Sequence, residues 1–297
     1  MRKEFTAWLE AYAGANPDVL VLTGDLGYAA LEGTRDRIGD RFVNMGVSEQ
    51  NMISVAAGLA SEGLRPICYS IAPFAVFRPA EQIRLDVCLH GLNVKIVGNG
   101  GGYGYGIMGA THHALEDIAV LSSFPGMSCF LPVTGADVAT VADTMMADTG
   151  PGYLRLNMGT LPPDRKLEAP FAPIRRILPA PEDPKLTIVA LGPIALHALD
   201  PRADVWVVSR LPFVPHRALL DSVWRTGRLL VVEEHVERGG LAEHLALAVL
   251  KAGLSPMIWT RSAAGYPSKT YGSQAFHQRE SGLDAASIAA LVEECLG

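Results

Sequence analysis

The chain has 297 residues, which is long enough for two domains. Hydrophobic residues make up 49% and charged residues 19%, the composition of a protein with a folded core. The formal net charge of −6 argues against a nucleic-acid-binding protein, which usually carries a basic patch. The sequence contains no apolar run of membrane length and no signal-peptide core. We therefore expect a cytoplasmic protein that acts on small molecules.

The first half of the sequence alternates apolar strand patterns with helical patterns, which predicts a parallel, doubly wound α/β sheet. A glycine-rich loop over 98–113 interrupts the alternation. In chain order, we predict a helix over 2–14, a strand over 19–23, a helix from 48, a strand over 65–70, a helix over 74–90, a strand over 94–97, a helix from 114, a strand over 128–131, a helix over 135–149 and a strand over 152–156.

The second half begins after a segment rich in proline. Seven prolines fall within residues 161–184, which predicts an extended linker. Strands over 186–191, 204–209 and 228–233 and a final helix over 284–295 then predict a second α/β unit. The predicted domains are residues 1–162 and 185–297, joined by a linker over 163–184.

The four cysteines show no metal-ligand spacing. Cys68, Cys88, Cys129 and Cys295 are scattered, mostly in apolar surroundings. We interpret them as buried, reduced thiols of a cytosolic protein.

One carboxylate lies at the start of a helix that is otherwise apolar. Ser48 is a good N-cap residue, Gly63 is a good stop signal, and Glu49 occupies the first turn between them. The small residues of this helix predict close packing, which would bury its beginning. A carboxyl group held away from water there can stay protonated and donate a hydrogen bond. The alternative is an ordinary first-turn glutamate, which helices favour.

Residues 41–51 resemble the segment that opens the pyrimidine-binding domain for thiamine diphosphate in the transketolase family. Further segments resemble that family in the right order, so that the resemblance covers nearly the whole chain. They are the turn 23–26, the aromatic segment 74–84, the loop 110–117 and the pair of segments 231–235 and 239–241.

The resemblance implies how the pyrimidine ring of thiamine diphosphate would be bound. Glu49 would donate a hydrogen bond to ring atom N1′ and so activate the cofactor. The cofactor itself carries out the bond-breaking chemistry, and the protein binds and orients it. Phe77 matches the phenylalanine that stacks on the ring, and Phe74 would line the same wall. Asp25 and Asn44 are assigned to cofactor binding beside Glu49. For the two phenylalanines, core residues at helical spacing are the alternative.

The resemblance also implies a substrate site. His112 matches the histidine that faces the substrate, and His113 stands where many relatives have glutamine. Arg155 corresponds to a segment that in some relatives grips a sugar phosphate. Met108 and Met158 replace, respectively, an aspartate that contacts the donor and a second arginine, so whether the substrates are phosphorylated stays open.

The family motif that binds Mg²⁺ and the diphosphate is absent from the sequence, and Gly24-Asp25-Leu26 is rejected as a metal site. The resemblance therefore implies a split enzyme. A separate N-terminal subunit would bind Mg²⁺ and the diphosphate, and two copies of each chain would form an α2β2 assembly.

Three functions are compatible with these features. The leading prediction is a transketolase-like subunit, active only with its partner, that transfers a two-carbon ketol unit from a ketose to an aldehyde. A decarboxylating enzyme similar to 2-oxoacid dehydrogenase β chains or deoxyxylulose phosphate synthase is the second. A scaffold subunit without catalytic activity is the third, and the retention of Glu49, Phe77 and His112 argues against it.

Overall fold

A computed structural model describes residues 1–26, 30–159 and 171–297 of the chain. Its strands form two sheets, and helices pack on their faces. The strands are β1 Val19–Thr23, β2 Phe42–Asn44, β3 Arg65–Ile71, β4 Lys95–Asn99, β5 Ser128–Phe130, β6 Gly152–Leu156, β7 Ile174–Arg176, β8 Leu186–Leu191, β9 Ala203–Val208, β10 Arg210–Leu211, β11 Arg228–Glu233 and β12 Met257–Arg261.

The helices follow the strands in the alternation that the sequence predicts. They are α1 Arg2–Ala15, α2 Glu32–Ile38, α3 Glu49–Ser61, α4 Ala72–Val76, α5 Ala80–Gln82, α6 Asp117–Ser122, α7 Val138–Ala147, α8 Arg217–Thr226, α9 Leu241–Lys251, α10 Gln274–Glu280 and α11 Ala285–Leu296. Short 3₁₀ turns cover Gly39–Arg41, Gly106–Met108, Gly135–Asp137 and Gly192–His197, and a π-helix covers Ile83–Cys88.

The first sheet has the order β10-β5-β6-β4-β3-β1-β2, and all its pairs are parallel except β10 with β5. The second has the order β12-β11-β8-β9-β7, with only β7 antiparallel. Strands β6, β8 and β9 are buried along their whole length, as expected for parallel strands covered by helices on both faces. The α/β fold class is confirmed.

The structure corrects the predicted helix over 74–90, which is broken into α4, α5 and the π-helix. Pro79 lies at the break between α4 and α5. Proline has no N–H to donate within a helix, and its ring disfavours helical backbone in the preceding residue. The break turns the side chains of Phe77 and Arg78 outward, where both are partly exposed.

Four strands escaped prediction, and all four lie at sheet edges: β2, β7, β10 and β12. Strand β7 lies within the predicted linker yet pairs with β9, while residues 163–170 of that linker lie outside the described residues. Strand β10 follows the second predicted unit's β9 but pairs with β5 of the first sheet. The domain boundaries themselves stay a prediction.

The four cysteines are free and buried, as expected from the sequence. Within the described ranges, no helix is both long and apolar enough to cross a membrane.

Candidate functional site

The carboxyl ends of β2, β3 and β4 lie at one edge of the first sheet because these strands are parallel. Each strand is followed by a segment that carries one of the predicted site residues: Glu49 after β2, Phe74 after β3 and His112 after β4. Ligands of open α/β sheets bind in the crevice outside the carboxyl ends of the strands. We name the set Glu49, Phe74, Arg78, Tyr105 and His112 the carboxyl-edge crevice.

Glu49 begins α3 and is only 4% exposed, as the sequence predicted. Gly46 adopts a φ of +71° in the turn before the helix, and its N–H donates to Asn44 Oδ1 at 2.9 Å. Glycine suits this positive φ because a Cβ would be strained there. Ser48 stands at the N-cap, but its side chain makes no capping hydrogen bond. The turn therefore places the carboxyl group of Glu49 below the crevice.

Arg78 contacts this carboxyl group, a feature that the sequence patterns did not predict. Its Nη1 lies 3.0 Å from Oε1 and 2.9 Å from Oε2 of Glu49. Its guanidinium carbon lies 3.8 Å from the centre of the Phe74 ring, which is a cation–π contact. Glu49 therefore faces a cation and not the purely apolar surroundings that we expected. The available signal was an arginine placed directly after the two phenylalanines of the aromatic segment 74–84.

The two phenylalanines differ in their positions. Phe74 is half-buried; its ring carries the Arg78 guanidinium and lies 5.2 Å from the ring of His112, centre to centre. Phe77 follows the end of α4 and is 37% exposed. Phe74 is thus the ring that contacts Arg78 and His112, in agreement with its predicted place on the wall, whereas the stacking role of Phe77 stays a prediction.

His112 lies at the opposite side of the crevice on the glycine-rich loop. Its Nδ1 is 2.9 Å from the hydroxyl oxygen of Thr111, within hydrogen-bonding distance. Its ring centre lies 5.8 Å from that of Tyr105, whose hydroxyl accepts a hydrogen bond from Asn99 Nδ2 at 2.8 Å. The imidazole is half-buried, so it can reach a ligand in the crevice.

His113 is buried beside Tyr266 and the Gly106 carbonyl, and its role as a catalytic residue stays a prediction. It is 3% exposed, donates from Nε2 to the Gly106 carbonyl at 2.8 Å and accepts from the Tyr266 hydroxyl at 2.9 Å. Burial lowers the pKa of His113 to about 4, so the ring is neutral near pH 7. Both ring nitrogens are bonded within the protein, which gives His113 a structural position.

Arg155 is also buried, and its role as a substrate ligand stays a prediction. Its Nε lies 3.0 Å from Asp117 Oδ2, and both side chains are at most 3% exposed. Its Nη2 donates to the carbonyls of Ala114 and Glu234 at 2.8 and 3.1 Å. An arginine committed to a buried ion pair is not available to a phosphate in the crevice.

The carboxyl group of Glu234 fixes the glycine-rich loop from the side of the second sheet. Its Oε1 accepts from the Tyr103 backbone N–H at 2.8 Å and from Gln274 Nε2 at 2.9 Å. Its Oε2 accepts from Gln278 Nε2 at 2.6 Å. We name Tyr103, His113, Arg155, Glu234 and Gln274 the junction, because these buried residues join the loop to the second sheet.

Asp25 and Asn44 lie beside Glu49 at the ends of β1 and β2. Asn44 Nδ2 donates to Asp25 Oδ1 at 3.3 Å, and both side chains line a cavity of about 80 Å³. Asn44 also holds the turn at Gly46, so it positions Glu49 indirectly. Over the described ranges, no three His, Cys, Asp or Glu side chains are grouped as metal ligands.

A second cavity of about 370 Å³ lies next to Tyr105 on the side of the crevice away from Glu49. Sequence motifs did not point to it because its cationic residues, Arg2 and Lys3, come from the beginning of α1. Met158 contributes to its wall, together with Met1, Glu4, Asn99, Gly100, Gly104 and Asn157.

Residues 1–163 match the family described as transketolase, pyrimidine binding domain. The chain is 34% identical to the 1-deoxy-D-xylulose-5-phosphate synthase of Myxococcus xanthus, over 96% of this chain but 50% of the synthase. It thus spans about half the length of that relative. It is 32% identical to a subunit of the apulose-4-phosphate transketolase of Phocaeicola vulgatus, over 81% of this chain and 80% of that subunit.

Among solved structures, one described as split gene transketolase, inactive beta4 tetramer, superposes with a TM-score of 0.81. It shares 29% identity and covers 99% of this chain and 97% of its own. A transketolase from Leishmania mexicana shares the fold, with a TM-score of 0.79 at 17% identity over 99% of this chain and 45% of its own. The domain match and the identity to a subunit of similar length lead to one conclusion: this chain belongs to the transketolase family.

Proposed function

We propose that this chain is the pyrimidine-binding subunit of a thiamine-diphosphate-dependent transketolase-type enzyme, which transfers a two-carbon ketol unit from a ketose to an aldehyde. The observation that carries the proposal is the buried carboxyl group of Glu49, which pairs with Arg78; the Arg78 guanidinium lies on the Phe74 ring, and that ring contacts His112. Family membership supports it.

The residues of the crevice fit the aminopyrimidine half of the cofactor. The Arg78 guanidinium, which is flat and rich in nitrogen, already lies on Phe74 and contacts Glu49, so the slot accepts a group of this shape and chemistry. Glu49 would hold a proton toward the ring nitrogen, and Phe74 would stack on the ring. When bound, thiamine diphosphate supplies a carbon nucleophile and an electron sink for cleavage of the donor ketose.

His112 has the position of a group that binds or transfers a proton at a substrate hydroxyl. It faces Phe74 across the crevice, and its Nε2 has no protein partner among the described residues. The hydroxyl of Thr111 fixes the ring from the Nδ1 side. The cavity beside Tyr105 extends the crevice toward Arg2 and Lys3, whose charge suits an acidic substrate group, and Asn99 and Asn157 add polar side chains there.

We also propose that the chain acts with a partner subunit that binds Mg²⁺ and the diphosphate, as an α2β2 assembly in the cytoplasm. The relative in Phocaeicola vulgatus is itself named as one subunit of a transketolase, and the similar structure is described as an inactive tetramer of β chains. Both descriptions support a requirement for a second chain. The free, buried cysteines suit a reducing compartment.

A direct test replaces Glu49 in the complex with the partner subunit. Glu49→Gln should lower turnover with a ketose donor by at least about 100-fold, because the amide cannot hold a proton for the ring nitrogen. Glu62→Gln, an exposed residue just beyond the end of α3, is the matched control and should keep full activity. Full activity of Glu49→Gln would refute the proposal, and so would full activity of the wild-type chain without a partner.

A decarboxylating activity is a second candidate, and the identity to the synthase of Myxococcus xanthus favours it. Such an enzyme would release CO₂ from a 2-oxoacid and transfer the remaining fragment to an aldehyde. Pyruvate and hydroxypyruvate distinguish the two candidates in the complex with the partner subunit. Release of CO₂ from pyruvate without turnover of hydroxypyruvate would favour the decarboxylating enzyme over the transketolase.

A further inference from the structure

The guanidinium of Arg78 fills the space between Glu49 and Phe74. Its Nη1 contacts both carboxyl oxygens of Glu49 at 3.0 and 2.9 Å, and its carbon atom lies 3.8 Å from the centre of the Phe74 ring. A separation of 3.8 Å is ordinary contact between two stacked groups, so no further ring fits between them. The side chain thus closes the slot in which the proposed function requires an aminopyrimidine ring.

Guanidinium and aminopyrimidine share the features that this slot selects. Both are flat and conjugated, both carry N–H donors, and both lie well on an aromatic face. Lysine would lack the flat head, although it carries the same charge. The two groups therefore compete for one place, and only one of them can contact Glu49 and Phe74 at a time.

We propose that Arg78 is an internal competitor of the cofactor, which closes the pyrimidine slot until thiamine diphosphate displaces it. This inference rests on the proposed function. Such competition would weaken the binding of the cofactor to the chain alone, because the apparent affinity is the intrinsic affinity multiplied by the fraction of molecules whose slot is open. A slot closed about nine-tenths of the time lowers the affinity about tenfold.

The position of Arg78 allows it to leave. Its side chain is 43% exposed, while that of Glu49 is 4% exposed. The residue lies in the break between α4 and α5, and Pro79 follows it. When the side chain swings outward, its charge returns to water, so the move gives up one ion pair and one cation–π contact, both modest interactions. Binding of the diphosphate by a partner subunit would supply the remaining free energy.

The test measures binding of thiamine, which lacks the diphosphate, to the full chain by calorimetry. Arg78→Ala should bind thiamine about tenfold more tightly than wild type, and Arg78→Lys should lie between them. Arg84→Ala removes the same charge from the same segment at an exposed position, away from the ion pair with Glu49, and it should match wild type.

The outcomes separate this inference from the proposed function. Equal or weaker binding of thiamine to Arg78→Ala, relative to wild type, would overturn the inference and leave the cofactor slot in place. If the double variant Glu49→Ala, Arg78→Ala bound thiamine as well as Arg78→Ala does, the slot would not be the binding site, and both proposals would fail. If neither wild type nor Arg78→Ala bound thiamine, both would likewise fail.

Discussion

His112 and His113 are neighbours in the sequence but belong to two regions with opposite properties. In the carboxyl-edge crevice, His112 is half-buried and its ring contacts that of Phe74 edge to face. In the junction, His113 is buried and both ring nitrogens have protein partners. The same residue type can thus either bind a ligand or stabilise the fold. Its role depends on whether its ring nitrogens already have hydrogen-bond partners within the protein.

The charged residues show the same contrast. In the crevice, Glu49 pairs with Arg78, whose side chain is half-exposed and can leave. In the junction, Arg155 pairs with Asp117, and both are buried. A buried pair cannot be separated without leaving an uncompensated charge away from water, whereas an exposed arginine exchanges its partner for water at little cost.

The largest expected effect tests whether Arg155 belongs to the junction. Arg155→Leu should lower the free energy of unfolding by about 3–5 kcal/mol, because it leaves the buried carboxylate of Asp117 without its cation. Urea unfolding followed by circular dichroism measures the change, and Arg84→Leu is the exposed control. If Arg155→Leu instead raised the KM for a phosphorylated substrate strongly at unchanged stability, Arg155 would be a substrate ligand and not a residue that stabilises the junction.

Acid should weaken the fold around the junction. Burial lowers the pKa of His113, and also that of His235, to about 4 from an ordinary 6.5. The unfolded chain therefore binds these protons more tightly, so stability is present above pH 6.5 and falls as the pH drops toward 4. Each histidine contributes a loss of about 3 kcal/mol over this range.

Glu233 opposes part of this loss. Burial raises its pKa to about 7, so its contribution to stability increases as the pH falls from 7 toward 4.5. Unfolding by urea at about pH 7 and about pH 4.5 in wild type and His113→Gln isolates the contribution of the histidine. The variant should lose clearly less stability on acidification, and an equal loss in both proteins would contradict the buried, neutral state of His113.

The two histidines should separate activity from stability. His112→Ala should lower turnover of the complex by about 10–100-fold, as for loss of a group that binds or shuttles a proton, with little change in the midpoint of unfolding. His113→Ala should lower stability by about 1–3 kcal/mol, because it removes the two hydrogen bonds of the buried ring, to the Gly106 carbonyl and the Tyr266 hydroxyl. If His112→Ala lowered stability and His113→Ala lowered turnover instead, His113 would be the residue that acts on the substrate and His112 the structural one.

The smallest expected effect concerns the two phenylalanines of the aromatic segment. Phe74→Ala should weaken binding of thiamine diphosphate to the complex about tenfold, since it removes the aromatic face beside Glu49. Phe77→Ala should change the affinity less than about threefold, because that ring is 37% exposed. Titration calorimetry measures the affinity of each variant for thiamine diphosphate. A larger loss of affinity in Phe77→Ala than in Phe74→Ala would show that Phe77 is the stacking residue.

Sequence patterns predicted the fold class and most strands because parallel strands covered on both faces read as continuous apolar runs. They missed β2, β7, β10 and β12, which lie at sheet edges, where apolar patterning is weaker. The burial of Glu49 was predictable from the small residues of its helix. The partner of Glu49 was not, because Arg78 comes from a segment after another strand, and only the sheet brings the two together.

The buried positions of His113 and Arg155 were not predictable for a related reason. Similarity of motif placed them near a ligand, but their orientation depends on Tyr266 and Asp117, which come from distant parts of the chain. Orientation follows from tertiary hydrogen bonding, and a local motif does not encode it.

The pairing of β10 with β5 limits how this protein can be divided. Separate expression of residues 1–159 would strip β5 of its outer neighbour and leave Phe130 and Cys129 on an open strand edge. Uncovered edges recruit strands from other molecules and promote aggregation. Truncated forms for crystallography or for domain exchange should therefore retain residues 210–211 or cover that edge by design.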